Sequence, residues 1–173
     1  MKKTKQIAQI GLFTALLIGG QFALSAVSGI EVVTVLLLSF AFYYGAKMGV
    51  AVAVAFSLIR CILFGFFPSV LILYLVYYPL FAITFGLIGK KFDRKLNPKR
   101  HVLVVAVGVV ATCCFTMLDN VITPLYYGFD YDTAVGYAVA SLYTLLPQVL
   151  CTILTLAVFL RPLVKLYTVV DRN

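Results

Sequence analysis

Apolar residues run along this chain in stretches of about twenty, the length that crosses a hydrocarbon core, with short polar breaks between them. The pattern predicts six helical spans, near residues 6–27, 30–44, 48–67, 69–89, 101–124 and 135–160. The second is short and is therefore read as strongly tilted or partly interfacial. The first is long, contains Gln21 and runs directly into the second, which favours a retained helix over a cleaved signal segment. The one obvious linker is Lys90–Arg100, whose Asn97–Pro98 pair reads as a turn. It divides four spans from two, but neither part is long enough to suggest an independent domain, so residues 1–173 are read as one unit without an internal repeat. The predicted fold class is an all-α integral membrane protein, a compact bundle of six transmembrane helices.

Composition agrees and narrows the alternatives. Hydrophobic residues make up 63% of the chain and charged residues only 12%. A soluble domain stands nearer about 45–50% apolar and about 25% charged, because its surface faces water. Disorder, a disulfide-stapled secreted module and a stand-alone nucleic-acid binder are all excluded.

The net charge of +8 changes meaning once its residues are placed. Lys2, Lys3 and Lys5 precede the first span, and Lys47 lies between the second and third. Lys90, Lys91, Arg94, Lys95, Lys99 and Arg100 fill the linker, and Arg161, Lys165 and Arg172 follow the last span. Six spans put both termini on one side, and making that side cytoplasmic places every one of these basic residues inside. The outer loops then hold Glu31, Asp130 and Asp132. The charge is a topology label rather than a phosphate-tracking groove, and no nucleic-acid partner is expected.

Few ionisable groups remain at membrane depth. Arg60 lies in the outer part of span 3, Asp119 in the outer part of span 5, and Glu31 at the outer start of span 2. A buried Arg costs about 2.5–3.5 kcal/mol on insertion scales, so it faces protein or a wet cavity. Three readings stand for Arg60: an interhelical strut to Asp119 or Glu31, an anchor for an anionic or carbonyl group of a ligand, or a side chain snorkelling to the interface.

Polar residues also recur at helical spacing. Thr112, Thr116, Asp119 and Thr123 share a face of span 5, with Asn120 beside them; Tyr137, Ser141, Thr144, Gln148, Thr152 and Thr155 share one of span 6. Such stripes are hydrogen-bonding seams between helices or the wall of a solute cavity. Asn120 and Gln148 are the stronger ligand candidates, since an amide both donates and accepts. Tyr74, Tyr77 and Tyr78 mark a face just before Pro79. They are read as an aromatic belt or, lying deeper than a belt requires, as rings that stack on a planar ligand. Gly11, Ala15 and Gly19 form a strip of small residues on span 1, suited to packing within the bundle or to docking a separate membrane subunit.

Catalysis is not expected. The single histidine, His101, sits at a span boundary with no Ser or Cys arranged around it. No metalloprotease motif, paired-Asp motif or phosphate-binding loop is present, so this chain is not expected to hydrolyse ATP. The four cysteines, Cys61, Cys113, Cys114 and Cys151, lie in spans and read as buried free thiols; no cofactor or metal is expected.

Taken together, these features resemble the substrate-binding S component of energy-coupling factor (ECF) transporters. The run Gly11-Leu-Phe-Thr-Ala15-Leu-Leu-Ile-Gly19 is similar to that family's small-residue first helix. The turn Gly45-Ala-Lys-Met-Gly49 is similar to its glycine-bracketed turn, and Gly86-Leu-Ile-Gly89-Lys-Lys to the end of its fourth helix. The resemblance implies a multi-pass receptor in a prokaryotic plasma membrane. It implies capture of a vitamin or related micronutrient in an outward pocket, and docking through span 1 on a transmembrane coupling (T) subunit that carries two ABC ATPases. Arg60 weakly favours a carboxylate- or phosphate-bearing ligand and the tyrosines a planar one. The alternatives are a self-sufficient small secondary transporter or channel, in which Arg60 and Asp119 gate a solute, and a membrane scaffold without a ligand.

Overall fold

The computed structural model describes residues 3–25 and 32–171. Among them the chain is helical apart from short turns, with no strand: α1 (Lys3–Leu24), α2 (Val33–Tyr44), α3 (Ala46–Phe64), α4 (Pro68–Lys91), α5 (Pro98–Tyr127) and α6 (Tyr131–Val170). All but α2 are long and apolar enough to cross a membrane. Large apolar side chains such as Phe22, Ile62 and Leu125 stand exposed around the bundle, as lipid-facing residues do. The architecture is that of a multi-pass helical membrane bundle.

The short second span has a specific place in it. At 1.5 Å per residue α2 is only about 18 Å long, well short of a bilayer core. Only Leu36 and Tyr44 within it escape full burial, because α1, α3, α4 and α6 surround it. A helix apolar on every face is a core helix, and α2 is the central column against which the others pack.

Glycines let the neighbours approach. The turn from α2 into α3 passes through Gly45 at φ +94°, a conformation that side chains with a Cβ rarely adopt. Across it, α4 lies so close that a Cβ on Gly89 would stand 1.9 Å from the Phe42 carbonyl oxygen, and one on Gly86 would stand 2.3 Å from the Ala46 nitrogen. The glycine-bracketed stretches are thus contact points of α2, α3 and α4.

Several boundaries differ from those the hydropathy predicts. The last helix does not stop near residue 160 but runs to Val170, about 60 Å at 1.5 Å per residue. Hydropathy misses the extension because it is amphipathic: Val164 and Tyr167 are buried, Lys165 is exposed, and Tyr167 Oη lies 3.1 Å from Ser39 Oγ on α2. Asn97–Pro98 is not a free turn. Asn97 is the N-cap of α5 and Pro98 opens its first turn, where a missing N–H and a fixed φ cost nothing. The chain reverses instead through Asp93 and Arg94, both at positive φ. Of the cysteines, only Cys61 is buried, and Cys114 is exposed on the outside of α5.

Basic residues collect at one end of the bundle. Lys5 pairs with Asp171 at 3.6 Å, and Lys47, Lys90 and Arg94 line the same cleft as Asp171. Arg94 and Lys95 in turn share a second cavity with Arg161 and Lys165. Arg60, at the far end of α3, is the exception that the sequence singles out.

Candidate ligand-binding end

At the end of the bundle opposite the basic cluster, α3 presents Arg60 one turn before it terminates at Phe64. The guanidinium sits 4.6 Å from the centroid of the Tyr74 ring on α4 and 5.5 Å from that of Phe64. Its Nε and Nη1 are shielded from solvent and have no hydrogen-bond partner among the described residues. The aromatic faces offset part of the charge, but two buried donors are left unused, at a cost of about 1–3 kcal/mol each until something accepts from them. Arg60 makes no ion pair with Asp119; among the described residues the ion pair is Lys5–Asp171. The predicted strut to Asp119 is therefore absent, and a strut to Glu31 falls outside the described residues.

The three tyrosines are inside the protein rather than in a belt. Tyr74, Tyr77 and Tyr78 are buried, and they close around Phe115 of α5 with centroids 5.9, 4.9 and 6.2 Å away. Phe56 stacks on Tyr74 at 6.2 Å, and Tyr77 Oη donates to the Ala111 carbonyl at 3.0 Å. This aromatic block ties α3, α4 and α5 together beneath Arg60. Tyr126, Tyr127 and Tyr131, at the junction of α5 and α6, are instead exposed.

Asp119 is held by its own neighbourhood. Tyr137 on α6 donates to one carboxylate oxygen at 2.6 Å, and Thr123, one turn along α5, to the other at 2.8 Å. Such charge-assisted bonds are the strong ones. The next residue, Asn120, donates through Nδ2 to Ser141 Oγ at 2.9 Å, while its buried carbonyl oxygen has no partner. Deeper along the same pair of helices, Thr112 and Thr152 hydroxyls meet at 3.1 Å. The stripes on α5 and α6 thus form an interhelical seam.

The remaining candidates are spread along α6. Gln148 is half-buried, whereas Thr144 is exposed and donates to the carbonyl of Ser141 in its own helix. No residue of α6 before Thr152 reaches full burial. Beyond Thr152 the helix is locked onto α2 by Leu156, Leu160 and Val164. The second half of α6 is therefore part of the core, whereas its first half, which bonds to α5 through Tyr137 and Ser141, is not.

The fold brings Arg60 to Tyr74, the three tyrosines to one another, Asp119 to Tyr137 and Asn120 to Ser141. It does not join the arginine to the aspartate. Phe115 and Phe56, which organise the aromatic block, are missing from the sequence-predicted set. Phe115 lies four residues before Asp119 on the same helical face, a spacing that would have identified it. On α1, Gly11, Ala15 and Gly19 are exposed, and a Cβ added at Gly11 or Gly19 would meet nothing within 4 Å. Of the two readings of this strip, the bundle leaves it unpacked. Comparison with protein-family models, curated proteins and solved structures finds no match for this chain.

Proposed function

We propose that this protein is a substrate-capturing membrane subunit of the S-component type, taking up a small anionic or carbonyl-bearing micronutrient at the Arg60 end. It passes the ligand inward in complex with a transmembrane T subunit and two ATPases. The observation that carries the reading is Arg60: a permanently charged group on a membrane-spanning helix, seated on aromatic rings, with two buried donor nitrogens that have no partner among the described residues. A ligand carboxylate, phosphate or carbonyl completes such a group, and intramembrane charges of this kind mark ligand pathways.

Two further features support it. With the basic end in the cytoplasm, as the positive-inside rule favours, both termini are cytoplasmic and Arg60 belongs to the outer half, where an importer meets its substrate. The Gly11–Ala15–Gly19 strip offers an open, smooth face on which another membrane helix can lie closely. The chain itself supplies no phosphate-binding loop, so the energy source is assigned to partner subunits.

The test is affinity purification from native membranes combined with transport. Capture of a coupling subunit with its ATPases, and uptake that stops when the ATPases are deleted, are the expected results. Uptake by vesicles holding this chain alone identifies a self-sufficient transporter instead.

A further inference from the structure

At the basic end, the loop between α4 and α5 and the C-terminal extension of α6 enclose a cavity of about 430 Å³, within the size range of small-molecule sites. Arg94 and Lys95 line it from the loop, and Arg161 and Lys165 from α6. Among the described residues no acidic side chain lines it. Like charges do not gather around one space without cost, and among the described residues none of the four forms an ion pair. Arg161 Nε is buried and lacks a hydrogen-bond partner among the described residues. By contrast, the neighbouring Arg100 is spent on the protein itself, donating to the Phe92 carbonyl at 3.0 Å and lying over the Phe92 ring.

The cavity is also fixed in shape. Arg94 adopts φ +58°, and its N–H bonds back to the Gly89 carbonyl at 2.9 Å; the Lys95 N–H bonds to Phe92 at 3.0 Å. These bonds fix the backbone of the two loop residues that line the cavity, and the Arg94 guanidinium rests over the Tyr43 ring at 5.7 Å. Asn97 and Pro98, which begin α5, complete the wall, and Asn97 makes no side-chain capping bond. The positive dipole end of α5 therefore adds to the four cations.

We infer that this cavity binds the phosphate headgroup of an acidic membrane phospholipid, such as phosphatidylglycerol. Four cations on a preformed wall and an uncapped helix start match a phosphate group. What selects a lipid over a free anion is the flank of the cavity. One turn further into the apolar part of each helix, Val102 and Leu103 on α5 and Val158 and Phe159 on α6 are exposed. A headgroup seated among the cations places its acyl chains along these side chains, the arrangement by which basic pockets between membrane helices hold acidic lipids. The site lies at the end away from Arg60 and does not depend on the transport reading.

Native mass spectrometry of the full chain, released from nanodiscs containing equal phosphatidylglycerol and phosphatidylcholine, tests this. The expected result is retention of phosphatidylglycerol in preference to phosphatidylcholine, with the preference falling about tenfold in the double variant Arg161→Gln/Lys165→Gln. Lys165→Gln alone, at an exposed position, shows a smaller loss without risk to the fold. Lys91→Gln, a basic residue outside the cavity, leaves retention unchanged. Equal retention of both lipids, or undiminished retention in the double variant, overturns the inference. Displacement of the lipid by millimolar inorganic phosphate assigns the cavity to a soluble anion and overturns the lipid assignment.

Discussion

The guanidinium of Arg60 lies 4.6 Å from the centre of the Tyr74 ring, and two of its nitrogens donate to nothing among the described residues. The ring holds the charge in place, while the unused donors define the direction from which an acceptor completes it. An ammonium keeps the charge but loses the planar fork. Arg60→Lys is therefore expected to fold normally and to weaken ligand binding by about tenfold or more, the loss of a charge-assisted hydrogen bond of about 1.5–3 kcal/mol. Equilibrium binding of the co-purified ligand measures it, and equal affinities would place the ligand elsewhere.

The strip on α1 makes a separable prediction. Nothing lies within 4 Å of a Cβ at Gly11 or Gly19, so Gly11→Leu and Gly19→Leu leave the thermal unfolding of the isolated chain essentially unchanged. The same variants obstruct a partner helix, and recovery of a coupling subunit on affinity purification is expected to drop severalfold. A lowered unfolding temperature together with normal recovery would mean that the strip packs inside the bundle.

Gly89 behaves in the opposite way. Its missing Cβ would overlap the Phe42 carbonyl at 1.9 Å, so Gly89→Ala forces α4 away from α2. Overpacking of this kind costs about 1–3 kcal/mol. Thermal unfolding in detergent should fall for Gly89→Ala and stay level for Gly11→Ala, although both exchange the same residue types.

Much of this architecture is legible in the chain. Stretch length gives the five long helices, and basic residues mark the end at which they cluster. Hydropathy does not distinguish a central helix from a lipid-facing one, so α2 reads as a short span rather than as the core. It also misses Arg161–Val170, where Lys165 and Thr168 dilute the apolar signal although Val164 and Tyr167 pack inward. The site is legible as residue types and not as pairings. Periodicity places Asp119 and Tyr137 on facing stripes, but only the packed helices show that Asp119 is bonded to Tyr137 while Arg60 stands apart.

That pairing has its own consequence. Tyr137→Phe removes the 2.6 Å donor to Asp119 and leaves a part-buried carboxylate short of a bond. A loss of about 1.5–3 kcal/mol is expected. In the Asp119→Asn background the same substitution should cost clearly less, and a double-mutant cycle on thermal unfolding reads the difference. Equal costs in both backgrounds would show that the two residues are not coupled.

The most direct test of a ligand seated at Arg60 is mass spectrometry of the small molecule retained by the purified chain, run in parallel on Arg60→Ala. A single anionic or carbonyl-bearing compound, near one per chain in the unaltered protein and depleted in Arg60→Ala, is the predicted result. A chain that retains no small molecule, or an Arg60→Ala variant that retains the same compound at the same level, would contradict it.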